Sequence, residues 1–218
     1  LSALHSEKMG TMDRPVNNSK GCGGVMRVAP VGLMVDEPAE AFKLGCEIAA
    51  ITHGHPTGYL ASGALAAIIN MIKQGKELPE AIDGAIELLK QYRDHQETIH
   101  AISRAMDLAE KANPNPETIQ QMGEGWIAEE ALAISIYCAL CAGNDFKKGV
   151  LLAVNHSGDS DSTGAITGNI LGCMVGNSSI PGKWIDQLEL KEIIQELGID
   201  LFIKFRSDDQ WWGKYPGC

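Results

Sequence analysis

The sequence has no apolar run long enough to cross a bilayer and no secretory leader pattern, which argues against membrane insertion and export. It is poor in basic residues: 18 Lys and Arg face 28 Asp and Glu, a formal net charge of −10. A surface of that sign excludes general binding to nucleic acid or anionic lipid, because phosphate backbones and headgroups need basic surface. A small phosphate-bearing ligand stays compatible, held by backbone amides or a metal. There is no second thiol pair to accompany the single C-x-x-C, Cys138 and Cys141, which lies inside the apolar run ALAISIYCALCAG. A zinc ribbon or redox motif is therefore not expected. The six cysteines read as reduced, mostly core residues suited to a cytoplasmic location. Sustained period-two alternation is absent too, which removes β-sheet architectures.

What remains is helical. With 44% hydrophobic and 21% charged residues, the 218-residue chain can bury a core as one large domain over residues 1–218. Apolar periodicity predicts helices over Pro38–Ile51, from Thr57 to a C-cap at Gly75, over Pro79–Tyr92, and over Glu97–Ala112 up to the NPNP stop. Further helices are predicted over Ile127–Ala142, from an Asp145 N-cap to Val154, over Thr163–Gly176, and over Leu188–Leu197 with Ile199–Phe205 extending or following it. The fold class is all-α.

Chemistry-bearing residues concentrate in a few blocks. Gly158-Asp159-Ser160-Asp161-Ser162-Thr163 sets two carboxylates one residue apart before a hydroxyl, hard oxygen donors suited to magnesium, manganese or calcium. Spacing alone leaves this open against a helix cap by Asp161 or Ser162, with Asp159 favouring the helix N-terminus. An EF-hand is excluded by the missing Gly and terminal Glu. His156 reads as a hydrogen-bonding support. Asn17 to Arg27 carries Gly21, Gly23 and Gly24, which permit close approach of a ligand to the backbone. If this loop opens a helix at Val25, its amides suit a diphosphate, with Lys20 and Arg27 adding charge. The plainer reading is a turn with Arg27 paired to a structural carboxylate. His53 and His55 flank a helix-to-helix turn, as a metal pair or as hydrogen-bonding, ligand-edge residues. Gly123-Glu124-Gly125-Trp126, with Glu129 and Glu130, is either a helix start with Trp126 packed inward or a pocket wall against a sugar or base.

Taken together, SKGCGGVMRVAPVGL, THGHPTGYLASGALA, GEGWIAEEALAISIY and HSGDSDSTGAITGNILG resemble, in order, the blocks of the ADP-ribosylglycohydrolase family. The resemblance runs from about Ser19 to Gly176. It implies a compact multi-helix fold and hydrolysis of the glycosidic bond between ADP-ribose and a modified protein side chain or small-molecule acceptor. It implies that Asp159, Asp161 and Ser162 supply one share of a binuclear magnesium site, with manganese as an alternative ion. It also implies that Ser19, Lys20, Gly21, Cys22 and Gly23 form the loop under the ADP-ribose phosphates, and that His53 contacts the ligand. Cys22 stands where several relatives carry Asn. The family's N-terminal G-D-x-x-G segment, T-D-D triplet and catalytic carboxylate have no counterpart before Ser19, and the chain opens on Leu1. The expectation is the C-terminal two-thirds of the family domain, truncated at the N-terminus. The missing ligands would come from an absent segment or a second chain. The other reading is a non-catalytic ADP-ribose-binding or structural relative without a full metal site.

Overall fold

The computed structural model describes residues 3, 6–111, 114–204, 206 and 208–217. Twelve α-helices and no strands occur among them. The chain falls into two compact units, Leu1–Ile180 and Pro181–Cys218.

The first unit is organised around α3 (Pro56–Lys73), whose face-independent burial follows from its run of Gly, Ala and Ser between Leu and Ile. A helix apolar on all sides is stable only when surrounded. Here α1 (Ala29–Met34), α2 (Pro38–Ala50), α4 (Leu78–Leu89), α7 (Ala128–Ala142) and α9 (Ser160–Val175) all pack on it. Small residues set the spacing. A Cβ at Gly45 would sit 2.8 Å from that of Ala66, and one at Gly63 would overlap Cys46 Sγ. Phe42, Cys46, Ala49 and Ala50, the predicted stripe of α2, are fully buried against this face. Each large side chain so buried contributes about 1.5–3 kcal/mol. The buried Asn70 amide donates to Gly32 O (3.0 Å) and Val35 O (2.8 Å), closing the end of α1.

Around this centre lie α5 (Gln96–Lys111), α6 (Pro116–Gln120) and α8 (Phe146–Val154). Asp145 caps α8, its Oδ1 accepting from the Lys148 amide at 2.9 Å. The predicted helices appear with boundaries shifted by a few residues. Ala112, named as the end of α5, lies outside the described residues, as does Phe205. The α9 helix starts three residues earlier than periodicity placed it, at Ser160, so the acidic block lies inside its first turn. The Gly-rich loop does not open a helix at Val25: it enters a 3-10 turn at Cys22–Arg27, followed by α1. Cys46 and Cys138 are core residues as expected, whereas Cys22 and Cys141 are half-buried. No helix of the described residues is long and apolar enough to cross a membrane.

The second unit contains α10 (Gly182–Asp186), α11 (Lys191–Ile203) and α12 (Asp209–Lys214), and none of its described residues is fully buried. A single helix, α11, runs through Gly198, so the segment from Ile199 extends the one before it. Lys214 joins Glu196 (2.6 Å) and Asp200 (2.5 Å).

Spacing by glycine gives a test. Gly63→Ala should lower stability in urea unfolding by about 1–3 kcal/mol through overpacking, despite a helix-propensity gain of about 1 kcal/mol. Gly84→Ala meets only the movable end of Met71 and should be neutral or stabilising. Equal losses in the two variants would contradict the close approach of α2 and α3.

Candidate active site

The Gly-rich loop is held from both sides by backbone. Lys20 O accepts from the Ala128 amide (2.8 Å), and the Cys22 amide donates to Trp126 O (3.1 Å), an isolated antiparallel bridge between Gly21 and Ile127. On the opposite side Ser19 O accepts from the His55 amide at 3.1 Å. Asn17 Oδ1 takes the amides of Ser19 (3.0 Å) and Gly54 (3.1 Å), so the loop and the turn before α3 share one acceptor. Against this loop lies the half-buried His53 ring. A Cβ on Gly21 or Gly23 would come 3.5 or 3.4 Å from its Nε2, and Gly24 and Gly58 crowd its other edge at 3.5 and 3.4 Å. The glycines line the imidazole at ordinary van der Waals distance. His53 Nδ1 meets Thr52 Oγ1 (2.8 Å), which accepts from Arg27 Nη2 (2.6 Å). Burial, then the Arg27 charge, holds the His53 pKa below its ordinary value.

The acidic block reaches the same loop. Asp159 occupies the N-cap position of α9 without a capping bond from its side chain, and Asp161 and Ser162 fall inside the helix, so neither of those two caps it. Instead the buried Asp159 carboxylate accepts from Cys22 Sγ at 2.7 Å, and Ser162 Oγ lies 3.4 Å from the same sulfur. Burial acts to raise the Asp159 pKa, but the Cys22 thiol and the Asp161 and Ser162 side chains outweigh it and hold the group below its ordinary value. The same pairing, after burial, pushes the Cys22 thiol up to about 11. The Asp159 amide donates to Glu124 O at 2.7 Å, and Gly158 is required because a Cβ there would overlap that carbonyl. His156 is the expected support. Its Nδ1 accepts from the Gly158 amide (3.1 Å), which leaves Nε2 to donate to Thr163 Oγ1 (2.9 Å).

Lys20 sits between two carboxylates, Glu129 Oε1 at 2.5 Å and Glu97 Oε1 at 2.7 Å. Burial works to lower the Lys20 pKa, and the two carboxylates overcome it and raise it. Hydrogen bonding to Lys20 lowers Glu97, while burial raises Glu129, whose Oε2 has no partner. Glu130 takes the amides of Glu124 (3.0 Å) and Gly125 (3.1 Å), and its carboxylate fills the space a Cβ on Gly123 would need, at φ +112°. Trp126 is 58% exposed, not packed inward.

Of the residues singled out in the sequence, the fold brings Ser19, Lys20, Gly21, Cys22, Gly23, His53, Asp159 and Ser162 to one place, while Asp161 is exposed beside it. His55 has a structural role of its own: its Nδ1 accepts from the Thr57 amide at 3.2 Å at the start of α3. Arg27 bonds to Thr52 and to Ile48 O (3.0 Å) rather than to a carboxylate. Sequence reasoning missed Glu97, which carries no local signal, and Thr52, whose position before His53 was the only hint. Asp159, Asp161 and Ser162 offer hard oxygens, yet no group of three or more His, Cys, Asp or Glu side chains suited to a metal occurs among the described residues.

Removing the cation tests the buried pair. Lys20→Met should cost about 1–3 kcal/mol by stranding a buried carboxylate. With its counter-charge gone, Glu129 rises further above its unfolded pKa. The fold then binds the proton more tightly than the unfolded chain does, and stability should fall as pH rises through that folded value. Flat stability across that range in denaturant melts would contradict the assignment.

The ADP-ribosylglycohydrolase family profile matches residues 1–210. An uncharacterized protein of Archaeoglobus fulgidus is 28% identical over 190 residues, covering 84% of this chain and 58% of its own length. The human ADP-ribosylhydrolase ARH3 is 24% identical, covering 78% of this chain and 54% of its own length. The ADP-ribosyl-(dinitrogen reductase) glycohydrolase of Rhodospirillum rubrum is 26% identical, covering 84% and 55%. A solved ADP-ribosylglycohydrolase-related protein complex superposes with a TM-score of 0.67 at 27% identity, over 85% of this chain and 60% of that one. The chain thus spans little more than half the length of these curated relatives. Matched by the family profile over residues 1–210 and by a solved fold over 85% of its length, the chain belongs to the ADP-ribosylglycohydrolase family.

Proposed function

We propose that the protein to which this chain belongs hydrolyses the glycosidic bond between ADP-ribose and a modified side chain or small acceptor, and does so with magnesium. The observation that carries this reading is the contact of Cys22 with Asp159 at 2.7 Å, which brings the Gly-rich loop and the acidic helix start into one site. Family membership supplies the chemistry, and the names of the human and Rhodospirillum rubrum relatives point to ADP-ribosyl bonds.

The donor set fits part of a magnesium shell. Asp159 is held ionised, Ser162 adds a hydroxyl oxygen, and Asp161 lies between them in sequence. Magnesium asks for six oxygens and keeps several waters, so these three residues suit a share of one site. When bound, the ion stabilises negative charge that develops on oxygen and orients the groups around the anomeric carbon. In this reading the loop of Ser19, Lys20, Gly21, Cys22 and Gly23 lies along the diphosphate, while Lys20 holds the loop through Glu97 and Glu129. His53 faces the ligand across the glycines. The carboxylate that moves the proton is assigned to no residue of this chain.

The incomplete oxygen set also favours a second reading, a relative that binds ADP-ribose without cleaving it. Titration calorimetry with ADP-ribose, with and without magnesium, separates the two when paired with an assay for ADP-ribose release from a modified protein. The first reading predicts magnesium-dependent binding and release, both lost in Asp159→Ala. Binding without release supports the second, and release that survives Asp159→Ala contradicts the first.

A further inference from the structure

The contacts behind His53 determine more than its place. Arg27 is a donor only, and its Nη2 gives a hydrogen bond to Thr52 Oγ1 at 2.6 Å while also reaching Ile48 O at 3.0 Å. Thr52 Oγ1 has one proton of its own to donate. Its remaining neighbour among the described residues is His53 Nδ1 at 2.8 Å. If Nδ1 carried the ring proton, Thr52 oxygen would accept twice and its own proton would have no acceptor there. If Nδ1 is bare, every donor and acceptor in the chain Arg27–Thr52–His53 is matched. The backbone is fixed as well: Asn17 Nδ2 donates to Thr52 O at 2.9 Å, and the His53 amide donates to Ala49 O at 2.9 Å. The ring's other nitrogen, Nε2, has no partner among the described residues and faces the space beside Gly21 and Gly23.

We propose that Arg27 and Thr52 are positioning residues that fix His53 in the tautomer with its proton on Nε2, so that the imidazole presents a hydrogen-bond donor to an anionic oxygen of the phosphate class lying along the Ser19–Gly23 loop. The assignment of that oxygen to ADP-ribose rests on the function proposed above; the tautomer does not. An imidazole's tautomer follows from the hydrogen bond its other nitrogen makes, and here that bond is a donor imposed by an arginine two steps away. The device suits an acidic protein. Lys20, the cation nearest the loop in sequence, is already taken by Glu97 and Glu129, so an uncharged N–H donor supplies what that lysine cannot.

Long-range 1H–15N correlation on the ligand-free chain with labelled histidine reads the tautomer directly. Wild type should show a pyridine-type shift at His53 Nδ1 and a pyrrole-type shift at Nε2. Thr52→Val keeps the shape without the hydroxyl and should give a mixture of tautomers, while Thr52→Ser restores the wild-type pattern. In calorimetry with ADP-ribose, Thr52→Val should weaken binding by the share of the ring left in the other tautomer, about twofold for an even mixture, and Thr52→Ser should not. A proton on Nδ1 in wild type overturns the proposal even if no variant folds, as does a Thr52→Val spectrum with the tautomer unchanged. The expected tautomer together with no ADP-ribose binding in wild type would sink the functional reading and leave the positioning role standing.

Discussion

The bridge between Gly21 and Ile127 is the contact on which the rest of the site depends. Two backbone hydrogen bonds, Ala128 to Lys20 and Cys22 to Trp126, join segments more than a hundred residues apart. Because that pairing fixes the loop, Cys22 meets the start of α9, Lys20 reaches Glu129 in the first turn of α7, and the glycines close over His53. The Trp126 side of the bridge is itself anchored by Glu130, which binds two amides of the preceding turn, and by the Asp159 amide on Glu124 O. Four blocks of sequence are thus tied through main-chain groups that no side-chain substitution removes directly.

Electrostatics then sorts the acids. Asp159 and Glu129 are both buried, yet their environments push them in opposite directions. The thiol, hydroxyl and neighbouring carboxyl around Asp159 favour its charged form, while desolvation dominates at Glu129 and favours its proton. The loop therefore faces one firmly ionised carboxylate and a lysine already neutralised. In a chain of net charge −10, an anionic ligand beside Asp159 needs a cation between them or donors that carry no charge. In the proposed function, the oxygen donors of α9 and the His53 Nε2 edge would answer those two needs.

Much of the helical framework was legible because amphipathic spacing and stop signals are local. The stripe of α2, the Gly75 end of α3 and the Asp145 cap of α8 needed no tertiary information. The first turn of α9 was misplaced because Ser160, Asp161 and Ser162 look like cap and loop residues, whereas Ser162 lies in the helix against Cys22, 140 residues away. The segment around Trp126 left two readings open, an inward-packed ring or a pocket wall, and the bridge turns the Trp126 backbone toward the loop and leaves its ring outside. Glu97 and the Arg27–Thr52 link were invisible because their partners lie 77 and 25 residues away, a separation that spacing cannot read.

The central claim is that one ligand surface is built from the Gly-rich loop, the His53 turn, the Glu124–Trp126 segment and the start of α9. Titrating the labelled chain with ADP-ribose and magnesium while following backbone amide resonances tests it most directly. The account predicts shifts concentrated at Ser19–Gly24, His53, Glu124–Trp126 and Gly158–Thr163. Shifts gathered instead at the cavity of Met9–Arg14 against Glu47, Ile48 and Ile51, or no shifts at all, would contradict it.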